Sequence, residues 1–356
     1  MPTSVLVTGG AGFVGAHVAR LASERGRTII VLDDLSGGAS DGLPPAVHVV
    51  EGDLGDVALV RRIVRAHDVG SVVHLAGLSG VSESLREPER FFDVNVVRSL
   101  RLLDTARDLG VRAFLTASTA AVYGQPELLR VPELGPLAPV NPWGASRLAF
   151  EYALAAAGAA HGIAWGALRH FDVAGARSDG TLAEHHEPET HLIPRALDAA
   201  LGRQPPLVVH GTDHATPDGT CVRDYVHVED LAEAYLRALE AVEMGTSIGA
   251  INLGTGQGFS VREVLATIAS VLGRAVPHTL GPRRPGDAPQ LVADPYRARA
   301  VLGWKAKRVS LHDLITDALR ARLRRPEQVR APEPEWDAVD EASWESFPAS
   351  DPPAHA

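Results

Sequence analysis

Three glycines, Gly9, Gly12 and Gly15, fall in the run GGAGFVG, directly after an apolar stretch and at the opening of a helical pattern. Glycine permits a tight turn there and lets backbone N–H groups, those of Phe13 and Val14 among them, approach a pyrophosphate at the positive end of the helix. About twenty residues on, Asp33 closes the next apolar run, where a carboxylate accepts hydrogen bonds from an adenosine ribose and repels a 2′-phosphate. This order and spacing predicts dinucleotide binding, with NAD favoured over NADP. Other reactive side chains are sparser. His185, His186 and His191 share one loop but lack a carboxylate–histidine pattern on one helix face, so no metal is expected. Cys221 is the single cysteine, which excludes an internal disulfide and a cysteine-based zinc cage and fits a reducing compartment. It reads as a small buried residue.

The elements that must position these groups follow from the hydrophobic rhythm. Short β-branched runs, SVLVTGG, TIIVLDD, VHVVEGD, SVVHLAG and AFLTAS, alternate with helical patterns, which predicts parallel β-α-β units in an α/β, Rossmann-like doubly wound sheet. The first helix carries Val14, Val18, Leu21 and Ala22 on one face and is expected to stop near Gly26. From about Ala174 the rhythm loosens into Gly-, Pro- and His-rich loops, as in a smaller α/β domain that builds a ligand pocket. The expected organisation is a cofactor domain over 1–173, a substrate domain over 174–324, with part of 222–255 packing back on the first, and a tail over 325–356. That tail, acidic and proline-rich, buries too little to order itself.

With 356 residues, 45% of them apolar, the chain is long enough for a sizeable core. Acidic residues outnumber basic ones 44 to 34, for a net charge of −10, so no general attraction draws it to nucleic acid or anionic lipid. It has no stretch of eighteen apolar residues and no basic leader, and a cytoplasmic location is expected. Its basic residues are almost all arginine; Lys305 and Lys307 are the only lysines.

Beyond the glycine loop, the sequence resembles the UDP-glucose 4-epimerases, within the extended short-chain dehydrogenase/reductases. The resemblance rests on GDL at Gly52 to Leu54, HLAGL at His74 to Leu78, STAAVYG at Ser118 to Gly124, RHFDVAGA at Arg169 to Ala176, ETHLIP at Glu189 to Pro194, DGTCVRDYVHVEDLA from Asp218, NLGTGQGFSV from Asn252 and RRPGD at Arg283 to Asp287. It implies that Asp53 and Leu54 frame an adenine and that Ala76 and Asn95 line the cofactor groove. It further implies that Arg223 and Arg284 clamp a nucleotide-sugar diphosphate, that Asp287 holds the nucleotide ribose, and that His191, Leu192, His210, Tyr225 and Leu291 surround the rest of the substrate. Two guanidinium forks suit a diphosphate, which they can pair with bidentately. A UDP-sugar is the expected ligand and a homodimer the expected assembly.

In that family a tyrosine phenolate takes the proton of the sugar 4-hydroxyl while C4 gives hydride to NAD. The tyrosine belongs to a Tyr-x-x-x-Lys unit, and a Ser or Thr hydroxyl, matched here by Thr119, shares the proton. The unit reads Trp143-Gly-Ala-Ser-Arg147 in this chain. Indole is a donor that does not titrate in water, so Trp143 cannot be the base, and the Arg147 fork does not carry its charge where an ammonium would. Ser79 stands where a lysine often follows HLAGL. His170 and Asp172 stand where the resemblance implies Tyr and Asn, and His210 replaces an aromatic that packs on uracil. Two readings follow. Either Asp172, with His170 second, has taken over proton transfer in a working enzyme, or the chain keeps NAD and nucleotide-sugar binding without turnover as a regulatory or accessory protein. Tyr123 is a lesser substitute phenol, expected to pack beneath the nicotinamide.

Overall fold

The apolar runs of the first 170 residues become strands of one parallel sheet in the computed structural model, which describes residues 3–38, 42–184, 186, 189–284 and 286–324. The tail expected at 325–356 and His185 lie outside the described residues. In chain order the first elements are β1 (Ser4–Thr8), α1 (Phe13–Glu24), β2 (Ile29–Asp33), β3 (His48–Glu51), α2 (Val57–Ala66) and β4 (Val69–His74). There follow α3 (Val81–Arg86), α4 (Pro88–Phe92), a π-helical turn over Asp93–Arg98, α5 (Ser99–Asp108), β5 (Ala113–Thr119), a 3-10 turn over Ala120–Tyr123, α6 (Pro142–His161) and β6 (Ala164–His170). The remainder comprises β7 (Asp172–Ala174), α7 (Leu192–Leu201), β8 (Leu207–His210), β9 (Val222–Arg223), β10 (Tyr225–His227), α8 (Val228–Glu243) and β11 (Gly249–Leu253). The last are β12 (Phe259–Ser260), α9 (Val261–Leu272), β13 (His278–Gly281), β14 (Gln290–Leu291), α10 (Tyr296–Leu302) and α11 (Leu311–Arg324).

The sheet order is β11-β6-β5-β4-β1-β2-β3. Chain progression therefore reverses between β1 and β4, and ligands of such sheets bind outside the carboxyl ends of the strands at that reversal. Both faces are covered, which is why β1 and β2 are buried at every position. Val5, Val7, Val31, Val73, Leu115 and Leu168 face α1 and α8. Their alternates Leu6, Ile30, Val72 and Phe114 pack with Leu59, Leu102, Phe150 and Leu154 of α2, α5 and α6. Truncating a side chain as buried as Phe114 to alanine costs about 3–5 kcal/mol. Helix α1 ends at Glu24, with Gly26 in the left-handed region at φ 77°, close to the expected stop.

After β6 the chain leaves the sheet and builds a smaller lobe around Ile193, Leu197, Leu207, Val264, Ile268, Leu314 and Ile315. It then returns: α8 packs on the sheet and β11 pairs with β6, register partners running from Gly249↔Gly166 to Leu253↔His170. Two short pairings, β7 with β10 and β9 with β12 and β14, hold loops of the smaller lobe near the carboxyl end of β6, while β8 pairs with β13 on the smaller core. No helix among the described residues is long and apolar enough to cross a membrane.

Candidate active site

The glycine loop is shaped by close backbone approach. Gly9 sits at φ 70°, and a Cβ there would lie 2.5 Å from the Ala76 nitrogen. At Gly15 a Cβ would lie 2.0 Å from the Gly9 carbonyl oxygen, so helix and loop meet only because both residues lack side chains. Gly12 differs: a Cβ there meets nothing nearer than the Gly9 oxygen at 3.4 Å. Gly12 caps α1 with no side-chain hydrogen bond, and the first turn, Phe13 to Gly15, carries no acid. The helix end thus offers backbone donors and a positive dipole to an anion, with room beside Gly12 for it.

Asp33 is buried and takes Ala11 N–H on Oδ2 and Leu35 N–H on Oδ1, each at 2.9 Å. Burial raises its pKa, against the lowering by those two N–H groups. The carboxylate braces the glycine loop, and its remaining lone pairs are free to accept ribose hydroxyls. Asp53 accepts Gly55 N–H at 2.6 Å and ion-pairs with Arg98, while Leu54 packs partly buried against the core around α2. Asn95 lies wholly buried on the π-helical turn, a local widening that recurs at functional sites. Its side chain accepts Leu78 N–H at 2.8 Å and donates to Leu78 O and to Ser146 Oγ at 3.1 and 3.0 Å. It ties the loop after β4 to the first turns of α6.

Arg147 reaches from α6 into the groove between the ends of β4 and β5. It donates to Ala76 O at 3.3 Å and Ala117 O at 3.5 Å. A Cβ on Gly77 would stand 2.5 Å from its Nη2, so that glycine makes room for it. Among the described residues no carboxylate pairs with this buried guanidinium, and burial lowers its pKa to about 10. An uncompensated buried cation is costly, and an anionic ligand in the groove offsets that cost.

Thr119 and His170 are register partners at the ends of β5 and β6. The Thr119 hydroxyl accepts Ala121 N–H at 3.1 Å and caps the 3-10 turn. His170 Nε2 meets the Tyr235 hydroxyl at 2.7 Å, and burial, then Arg147, lowers its pKa to about 3. Trp143 is half-buried in the first turn of α6, which Asn141 caps through Gly144 N–H at 2.9 Å. Tyr123 lies in a buried network: it donates to Asn252 Oδ1 at 2.6 Å and accepts from Arg169, which pairs with Glu151 at 2.7 Å. Burial pushes the Tyr123 phenol up to about 12, which removes it as a base near neutrality.

Two residues past the end of β6, Asp172 opens β7 beside Tyr225, its register partner on β10. Burial raises its pKa; Arg223 and His191 pull it down, and Asp224 and Asp287 push it up. Each of those charges lies within electrostatic reach of Asp172, whose backbone N–H donates to Asp224 O at 2.9 Å. Arg223 donates to Val222 O and Ala288 O at 3.0 and 2.7 Å. Burial lowers its pKa, but Asp172, Cys221 and Asp287 outweigh this and raise it overall. Arg284 is exposed and holds Asp287 through Nε at 3.1 Å. Burial also raises the Tyr225 phenol. His191 caps α7, whose first residue Leu192 packs on the smaller core, and His210 ends β8 with Nδ1 3.3 Å from Pro282 O. Leu291 is buried with Phe171 and Tyr123 in a separate apolar cluster.

Sequence reasoning passed over Asp224, although it lies inside a recognised motif. It is fully buried and takes N–H groups from Thr255, Gly256 and Ala293, knitting three distant loops behind Arg223. Tyr235, Glu151, Glu184 and Glu189 were missed as well, because their partners lie on other elements or out of helical phase.

Known proteins are similar to this chain in sequence and fold. A model of the NAD dependent epimerase/dehydratase family matches residues 5–254. A UDP-glucose 4-epimerase of Azospirillum brasilense is 46% identical over 315 residues, covering 88% of this chain and 90% of the relative. The crystal structure of a UDP-glucose 4-epimerase from Brucella ovis in complex with NAD superposes with a TM-score of 0.85 at 41% identity, over 89% of this chain and 97% of that one. The Bifidobacterium longum UDP-glucose 4-epimerase, in complex with NAD+ and UDP, gives 0.86 at 33% identity over 91% and 99%.

Proposed function

The chain belongs to the NAD-dependent epimerase/dehydratase family, and from that premise we propose that it interconverts nucleotide-diphosphate sugars at or near C4, with a proton-transfer group other than tyrosine. Its cofactor is NAD, as in the structural neighbours crystallised with it. The open position at Gly12 and the uncapped end of α1 fit a pyrophosphate. When bound, NAD supplies the hydride acceptor and donor. The chain's own residues bind and orient: Arg147 faces the groove, Arg223 and Arg284 pair with a diphosphate, and Asp287 takes a ribose.

The observation that carries this reading is the position of Asp172, a carboxyl that opens β7 two residues beyond the end of β6, opposite Tyr225 and within electrostatic reach of Arg223, His191 and Asp287. A carboxylate raised by burial in that company suits proton exchange with a sugar hydroxyl, and Thr119 offers a hydroxyl at the neighbouring strand end. His170 serves a positioning role, since its Nε2 is engaged by Tyr235. UDP-sugars are the substrate class that the relatives' names support.

The decisive experiment mixes the purified protein with UDP-glucose, UDP-galactose and further nucleotide sugars, following product sugars and reduction of bound NAD together. Turnover of at least one supports the reading. Binding of NAD and sugar with neither reduction nor product assigns the chain to the second class, a binding protein without turnover, which Trp143 alone favours. Leu85, Phe92, Val97 and Tyr152 are exposed on α3, α4, the π-helical turn and α6, elements that neighbour one another. We read them as the homodimer surface, and light scattering of Tyr152→Glu tests it by loss of the dimer.

A further inference from the structure

We propose that Glu184, His186, Glu189 and His191 form a site for one divalent transition-metal cation of the zinc type, built on the loop that leads into α7. One ligand atom from each residue lies within 4.8 Å of the other three. His191 Nδ1 stands 2.8 Å from a Glu184 oxygen and 3.1 Å from a Glu189 oxygen; His186 Nδ1 stands 3.4 and 3.9 Å from oxygens of the same two carboxylates. Ligands of tetrahedral zinc, at about 2.0–2.2 Å from the ion, are roughly 3.3–3.5 Å apart, so small side-chain rotations close the set.

A second observation points the same way. Among the described residues, His186 Nδ1 and Glu189 Oε2 are buried without a hydrogen-bond partner, and they stand 3.9 Å apart within the cluster. Buried polar atoms are rarely left so, and an ion is one of the recognised reasons. The donor chemistry is selective: two imidazoles favour zinc-like ions over calcium or magnesium, and two carboxylates balance a dication when both rings are neutral. Arg322, the nearby guanidinium, is engaged by Asp198 at 2.5 Å and does not take the carboxylates. Four protein ligands leave no open position, so the ion is structural. It clips the loop beyond the Ala176↔Ala183 bridge to the start of α7, where His191 also stands in the field of Asp172. The proposal does not depend on the epimerase reading, because its test reads metal binding rather than turnover.

The full-length protein, stripped with a chelator and dialysed into metal-free buffer, is titrated with Zn2+ by calorimetry and analysed for metal content. One Zn2+ per chain is expected, with a melting temperature about 4 °C or more higher in excess zinc. Cobalt substitution should give the intense visible absorption of a tetrahedral site. His186→Gln and Glu189→Gln should each weaken zinc at least about 100-fold and abolish the thermal response, while their metal-free melting temperatures stay near that of the parent. His48→Gln, which disrupts a histidine pair whose rings lie 4.7 Å apart elsewhere, should change neither. Absence of stoichiometric zinc, a six-coordinate cobalt spectrum, or undiminished binding in both loop variants overturns the assignment.

Discussion

His170 Nε2 lies 2.7 Å from the hydroxyl of Tyr235, which joins the end of β6 to the buried face of α8. A neutral ring serves this contact in either tautomer, and the Arg147 charge adds to burial in opposing protonation. We expect the His170 ring to stay neutral from pH 8 down to pH 5 in an NMR titration, with a pKa near 3. Titration near 6.5 would return His170 to the list of proton carriers.

The same contact sets an acid limit. His74, wedged between Thr8 and Ser99 at 2.7 and 2.9 Å, is also held neutral, with burial lowering its pKa to about 3. Both rings bind protons more readily in the unfolded chain, whose histidines titrate near 6.5. Stability therefore falls as the pH drops from about 6.5 towards 3, and is unaffected by these groups above 7. Urea midpoints measured across that range should decline steadily. Replacing His74 by glutamine should flatten part of the decline, at a cost near neutrality from the weakened hydroxyl pairing.

Two glycines of the cofactor loop should fail in opposite ways. At Gly12 the backbone is at φ −73° and a side chain has space, so Gly12→Val should fold with a melting temperature within about 3 °C of the parent yet bind NAD at least about 100-fold more weakly. At Gly15 a Cβ would collide with Gly9 O, so Gly15→Val should lower stability itself. Calorimetry with NAD and thermal melts distinguish the two; normal NAD affinity in Gly12→Val would show that the pyrophosphate lies elsewhere.

What the sequence made legible was local and periodic. The strand runs, the glycine loop, Asp33 at a strand end and the approximate end of α1 all follow from spacing along one element. Through-space pairs leave no such trace: His170 and Tyr235 are 65 residues apart, Ser118 and Glu151 33, and Asp224 gathers N–H groups from Thr255 and Ala293. The Glu184 to His191 cluster escaped for another reason. Its residues come together without sharing one helix face, the arrangement that a carboxylate–histidine spacing signals in a sequence.

Trp143 and Arg147 lie in the first two turns of α6, and our proposal of a displaced proton-transfer group rests on reading them in place of a tyrosine and a lysine. The indole offers no group that exchanges protons near neutrality, so interconversion of UDP-glucose and UDP-galactose by the wild type should be slow or absent. Trp143→Tyr combined with Arg147→Lys should raise it, by about 10-fold or more if Thr119 still shares the proton. Each single change should do less, because phenol and cation act as a unit. Fast epimerisation by the wild type would remove the need for any displaced base.

Asp172 is the group on which the proposed chemistry turns, and stability and turnover should respond to it in opposite directions. Burial raises its pKa despite Arg223 and His191, so ionising it costs more in the folded chain than in the unfolded one. The folded state then binds the proton more tightly, and as pH rises through the folded pKa this carboxylate subtracts from stability. Asp172→Asn keeps the shape and removes that burden. We expect its melting temperature at neutral pH to equal or exceed the parent's, its NAD affinity to be unchanged, and its turnover of the true nucleotide sugar to fall by at least about 10²-fold. A carboxylate that merely anchored Arg223 would give another pattern, with a lower melting temperature, weaker nucleotide-sugar binding through KM and a preserved kcat. Full activity in Asp172→Asn would leave the proton to another group, and the pH profile of kcat in that variant would locate it.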